Sequence, residues 1–142
     1  MKAVLTDFGS CAPLIQPVTC RQAALNIQDH AASYSTASIR APELFDTPSS
    51  GVIISGQADV WSLGCTFYSC LFSHTPFEDP VQGLSSLAVL SGTYKVPTGH
   101  PFPDDWTAFI ELCLTPSLDM RPGLQGAAST FLALSAPPES VM

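Results

Sequence analysis

The stretch DVWSLGCTFYSCLF, residues 59–72, decides how the rest of the chain is read. Its apolar run from Val60 to Phe72 is broken by Ser62, Gly64, Thr66 and Ser69. That run is too short for a bilayer, which takes about 20 residues of helix. It reads instead as a core helix, apolar nearly all round and therefore central to the fold. The helix is expected to begin near Asp59, whose carboxylate can serve its first turn. Trp61 and Phe67 read as core residues on it rather than as ligand-stacking groups.

Working outward toward the C-terminus, SHTPFEDP at 73–80 reads as a proline-bounded loop. A modest helix over Leu84–Leu90 would place Leu84, Leu87 and Ala88 together, and 91–103 reads as loop. Residues Asp105–Leu114 carry the clearest amphipathic pattern. There Trp106, Phe109, Ile110, Cys113 and Leu114 share a face, and Asp104 and Asp105 sit at the N-terminal end. A last helix, Gly123–Leu134, repeats the pattern with Leu124, Ala127, Ala128, Phe131 and Leu132, and Pro137-Pro138 stops it.

Toward the N-terminus, residues 46–57 read as a polar loop, and Pro42 is placed to open a short helix in IRAPELF, 39–45. RQAALNIQDHAA, Arg21–Ala32, is rich in helix formers and puts Ala24, Ile27 and Ala31 on one face. Residues 11–20 read as irregular, and 3–6 as a short strand closed by a turn at Asp7-Phe8-Gly9. No repeat or low-complexity segment interrupts this order, so the chain is one mainly helical unit.

Composition narrows the function. With 46% hydrophobic and 12% charged residues, the 142-residue chain can bury a core and is no disordered tail. Ordinary globular domains carry about 25% charged residues, so some of this surface is expected to be covered by other protein. A net charge of −7 argues against nucleic acid and anionic membranes as direct partners. The five cysteines form no C-x-x-C pair and read as reduced, buried thiols of a cytoplasmic protein rather than a disulfide framework or zinc site. Met1-Lys2 is followed by only a brief apolar stretch before Thr6 and Asp7, so no signal peptide or membrane segment is expected. His30, His74 and His100 read as exposed loop residues with no companion ligands.

Asp7-Phe8-Gly9 alone is a weak signal. It gains weight from TASIRAPE (36–43), DVWSLG (59–64) and DMRP (119–122), which follow in that order. Together these strings resemble the C-terminal lobe of a eukaryotic protein kinase of the Ser/Thr type, over essentially the whole chain. RQAAL, QDHAA, IRAPELF and DVWSLGC are similar to the Numb-associated kinase family, in particular to its acylated, Golgi-linked branch. The resemblance implies a mainly α C-lobe piece without the N-lobe. Residues 1–45 would be the metal-binding turn and activation segment, 46–136 the helical remainder, and 137–142 a tail.

The resemblance also implies roles. Asp7 would hold Mg²⁺ across the phosphates of ATP, Phe8 would anchor the turn against the core, and Gly9 would let the backbone turn sharply. Thr36 would line the active site. Glu43 and Arg121 would form a buried pair tying the activation segment to the far helices, whose rupture costs about 3–5 kcal/mol. Asp59 would hold the catalytic loop, or serve as a plain helix cap; Trp61 and Gly64 belong to the same motif. Ser33, Tyr34, Ser35, Thr36 and Ser38 occupy the segment that kinases phosphorylate, where turn chemistry is the plainer reading. Ile39 stands where the family usually has tyrosine.

Several of the family's parts are not in the sequence. It has no glycine-rich loop and no H-R-D segment; its lysines are Lys2 and Lys95, and no histidine precedes Arg-Asp. The expectation is therefore a piece of a kinase that is not catalytic by itself, with weak or no binding of ATP and Mg²⁺. In the complete kinase its partners would be protein substrates and the absent N-lobe and catalytic loop. Membrane or Golgi association would come from an upstream segment. Two other functions fit the same residues: a non-catalytic kinase-lobe binding module or decoy, and an incomplete gene product without independent role.

Overall fold

The computed structural model describes residues 4–135. Its centre is helix α3, Gln57–Phe72, which buries Val60, Trp61, Gly64, Cys65 and Tyr68. Gly56 precedes the helix at the cap position and makes no side-chain bond, so Asp59 lies inside the first turn as a charge favourable to the helix dipole. The helix is not covered all round, contrary to the expectation from its composition. Leu63 is 47% exposed and Thr66 and Cys70 also face outward, because helices pack on only part of its circumference.

Helix α5, Asp104–Cys113, lies against α3 and buries Phe109, Ile110 and Cys113 on the face its periodicity marks. Gly64 makes this approach possible: a Cβ there would sit 2.6 Å from the Cys113 Cβ. Helix α6, Leu124–Ser135, packs on both. Its expected stripe is only partly buried. Ala127 is covered, whereas Ala128 and Leu132 point outward and Leu124 and Phe131 are 45% and 40% exposed. Pro137-Pro138 lies outside the described residues.

Two cores meet along α3. One gathers Ala41, Trp61, Cys65, Tyr68, Phe77, Val89, Ile110 and Leu114; the other gathers Val60, Phe109, Cys113 and Ala127. Phe67 bridges toward the second, with ring centroids 5.8 Å from Trp106, 5.5 Å from Phe109 and 5.7 Å from Phe131. Each such aromatic contact adds about 0.5–1.5 kcal/mol beyond area burial.

Helix α1, Arg21–Tyr34, buries Ala24 and Ala31 with Ile27 half-buried, and α2, Pro42–Phe45, opens on its proline. Residues 11–20 and 46–57 are less irregular than expected. They contribute β1, Gln16–Val18, and β2, Val52–Ile54, an antiparallel pair in which Gln16 faces Ile54 and Val18 faces Val52. This pair and α1 enclose a small core of Val18, Ala24 and Ile54. By contrast residues 4–7 form no strand.

A hairpin of β3, Glu78–Asp79, and β4, Gly83–Leu84, occupies the end of the proline-bounded loop and the residues after it. The Asp79 carboxylate accepts the Val81 and Gln82 N–H groups at 2.8 and 2.9 Å and shapes the turn. Helix α4, Ser86–Ser91, starts later than expected because the Ser85 hydroxyl caps it, accepting the Ala88 N–H at 3.2 Å. That start turns Val89 into the core and leaves Leu87 76% exposed, so Leu84, Leu87 and Ala88 do not share a buried face.

Candidate functional site

The segment from Thr36 to Phe45 is held to α3 by Ser62, whose hydroxyl donates to the Ile39 carbonyl at 2.9 Å. Its anchor further on is Glu43, 5% exposed, which meets Arg121, 2% exposed. The pair is bidentate, Nη1 to Oε1 at 2.8 Å and Nη2 to Oε2 at 3.0 Å. The remaining donors of Arg121 are also satisfied. Nε donates to the Thr115 carbonyl at 2.8 Å, Nη1 to that of Gln57 at 3.0 Å and Nη2 to that of Pro116 at 3.1 Å. The guanidinium lies over the Trp61 ring, 5.0 Å from its centroid. Trp61 in turn stacks on Phe77 at 5.2 Å.

Gln57 completes this junction. Its amide nitrogen donates to the Leu118 carbonyl at 2.6 Å and the Arg121 carbonyl at 2.7 Å. One side chain at the start of α3 thus holds the connection between α5 and α6. Sequence reading passed over it, since its partners are backbone carbonyls 61 and 64 residues away.

A cleft of about 470 Å³ opens beside the segment. Thr36, Arg40, Asp59 and Ser62 line it, with Ser10 to Leu14 and the end of α1. The structure thus brings Thr36 and Asp59 to one cleft, both exposed. The Asp59 carboxylate accepts no hydrogen bond among the described residues. Of the hydroxyls in the segment, Ser33 donates to the Asp29 carbonyl at 2.9 Å and Ser35 to that of Ala31 at 2.7 Å. Tyr34 is 57% exposed, its ring 4.7 Å from that of His30. Ser38 is half-buried. His30 itself sits on α1 rather than in a loop, while His100 is half-buried against Phe72 and Phe102.

The turn at 7–9 corrects two expectations. Phe8 is 62% exposed and does not anchor against the core. The sharp left-handed residue is Asp7, at φ 64° and ψ 65°, and not Gly9; aspartate tolerates that region better than most residues. None of the three lines the cleft. Among the described residues no three His, Cys, Asp or Glu side chains cluster as metal ligands. Asp7 therefore offers Mg²⁺ one exposed carboxylate, less than the site such an ion takes, and no step is routed through it.

The cysteines divide by environment. Cys11, Cys20 and Cys70 are exposed, whereas Cys65 and Cys113 are buried where α3 meets α5. Burial pushes the Cys65 thiol up to about 12 and Cys113 to about 11, with the Arg121 charge partly opposing the rise in both. Burial likewise raises the Tyr94 hydroxyl. Not all five thiols are buried, as the sequence had suggested.

These residues place the chain in a known class. The protein kinase domain family matches residues 2–132, and the chain belongs to that family. It is 39% identical over 121 residues to the serine/threonine-protein kinase ppk13 of Schizosaccharomyces pombe, covering 84% of this chain and 35% of that protein. It is 32% identical over 135 residues to the human serine/threonine-protein kinase 16, covering 94% of this chain and 44% of that protein. The yeast serine/threonine-protein kinase ENV7 of Saccharomyces cerevisiae is 30% identical over 122 residues, covering 84% of this chain and 33% of that protein. The chain thus spans a third to less than half the length of these relatives. Among the described residues no helix is long and apolar enough to cross a membrane.

Proposed function

We propose that this chain is the C-lobe portion of a cytoplasmic serine/threonine protein kinase of the Numb-associated type. The complete enzyme would use ATP and Mg²⁺ to phosphorylate Ser or Thr of protein substrates. The observation that carries this reading is the junction of Glu43, Arg121 and Gln57. It holds the segment containing Thr36 against α3, so that Thr36 and Asp59 share one cleft. In this reading residues 1–45 are the metal-binding turn and activation segment, 46–136 the helical remainder and 137–142 a tail. Asp7 would complete a magnesium site with groups from the rest of the enzyme, and Asp59 would hold the catalytic loop. Ser33, Tyr34, Ser35, Thr36 and Ser38 are candidate phosphorylation positions, Ser33, Tyr34 and Thr36 being the more accessible. Any attachment to Golgi membranes would reside elsewhere in the complete protein.

Phosphoryl transfer depends on positioning and electrostatics, and the groups that position nucleotide and acceptor are not among these residues. The 142-residue chain should therefore show no Mg²⁺-dependent phosphorylation of a Ser peptide above background; robust transfer would overturn that. Joining the N-lobe and catalytic loop of ppk13 to this chain should restore transfer, and Asp7→Asn should lower it by about 100-fold or more. A folded chimera that transfers no phosphate would sink the kinase reading.

A further inference from the structure

A second hollow, of about 370 Å³, lies against the first two turns of α1 and shares no residue with the cleft beside Thr36. Its volume is within the range of about 300–1,000 Å³ that small molecules occupy. Ala24 and Leu25 line it from α1, and Thr47 and Pro48 from the loop that follows α2. Both walls are fixed from behind. Ala24 is buried in the small core with Val18 and Ile54. On the loop, the buried Thr47 hydroxyl donates to the Glu43 carbonyl at 2.7 Å, and the Gly51 N–H donates to the Val18 carbonyl at 3.1 Å.

Each wall also carries one charge, Arg21 on α1 and Asp46 on the loop. The two do not pair, since Arg121–Glu43 is the only ion pair among the described residues. Neither side chain makes a hydrogen bond among those residues. Opposite charges that share a hollow and leave each other unmatched are both open to a ligand. We propose that the hollow binds a free α-amino acid with an apolar side chain. Arg21 takes the carboxylate, Asp46 the ammonium group, and Ala24, Leu25 and Pro48 the side chain. A lone anion or cation would satisfy one wall and be repelled by the other, and a neutral molecule would use neither charge. A zwitterion engages both at once. Arg21 and Asp46 are exposed to solvent, so the affinity is expected in the millimolar range. Occupancy would tie the start of α1 to the loop after α2. The site goes beyond the kinase reading and does not depend on it.

The test is a titration of the 142-residue chain by saturation-transfer NMR, which reads the ligand and serves a monomer or an associated chain alike. The probes are leucine, 4-methylpentanoate, which lacks the ammonium group, and 3-methylbutylamine, which lacks the carboxylate. Leucine should bind saturably and at least about fivefold more tightly than either analogue at low salt. The difference should fade in about 0.5 M NaCl and disappear in Arg21→Gln and in Asp46→Asn. No saturable binding of leucine, or equal affinities for the three probes, overturns the proposal. A preference that survives in either folded variant also overturns it. So does N-acetyl-leucinamide binding as tightly as leucine, since it has the side chain and neither charge. The comparison of probes on the unaltered chain decides if a variant does not fold. Transfer by the ppk13 chimera reports on the kinase reading alone, so the two readings fail separately.

Discussion

Arg121 uses all five of its N–H donors, and only an arginine could do so in this place. A lysine has three donors and no planar fork, so it would leave the Glu43 carboxylate or the carbonyls around it short of partners. The pair is not expected to add much stability compared with apolar residues of the same shape, because both charges have left water. Its importance shows when one member goes. Glu43→Ala would strand a buried guanidinium and should cost about 3–5 kcal/mol in urea denaturation. A loss below about 1 kcal/mol would mean that the carbonyls of Gln57, Thr115 and Pro116 suffice for Arg121. At the same scale, Gly9 and Gly64 look alike in sequence and differ in space. A Cβ on Gly9 meets the Asp7 carboxylate at an ordinary 3.6 Å, whereas one on Gly64 meets a Cys113 Cβ that belongs to a packed helix.

That difference becomes a statement about elements. Gly64 is where α3 and α5 touch, with Leu114 crowding the same spot, so Gly64→Ala must push the helices apart. Overpacking of this kind costs about 1–3 kcal/mol, against little change for Gly9→Ala, and thermal melts of the two variants would show it. The same contact shelters two thiols, and its pH dependence has a definite sign. Unfolded, Cys65 and Cys113 ionise near their ordinary 9.0; folded, burial holds their protons to about 12 and about 11. Above pH 9 the unfolded chain therefore binds fewer protons than the folded one. Stability should be complete below pH 9 and fall as pH rises toward 12. A urea midpoint that stays flat from pH 8 to about 11 would contradict this. Among the helices, α5 was readable because its apolar positions recur at a single period, and its buried face is the one marked in the sequence. Helix α4 was misread because one hydroxyl, Ser85, sets where it begins, which leaves Leu84 in β4 and outside the helical period of Leu87 and Ala88.

At the scale of the molecule, exposed apolar residues are spread along the described chain, and one group of them lies near its start. Val4, Leu5, Phe8, Leu14 and Ile15 are 61–81% exposed, and Leu63 of α3 adds to them. Surface of this kind is covered in stable monomers. The isolated chain should associate in solution, with light scattering above monomer mass and marked binding of a hydrophobic dye. A monodisperse monomer with a sharp cooperative melt would show instead that the cores along α3 hold the molecule without that cover.

The sequence by itself determined the helical class, the central place of residues 57–72, the packing face of α5 and the kinase family. These depend on local periodicity and on strings whose order is written in the chain. Tertiary structure alone decided the pairing of β1 with β2, each three residues long and too short to carry a pattern. It also decided that Asp7, not Gly9, takes the left-handed turn, that Phe8 faces outward, and that α6 buries only part of its stripe. Gln57 belongs with these, because it bonds to backbone carbonyls, which are the same in every residue. Such contacts depend on where the chain returns to itself, and that is settled only when the helices have packed.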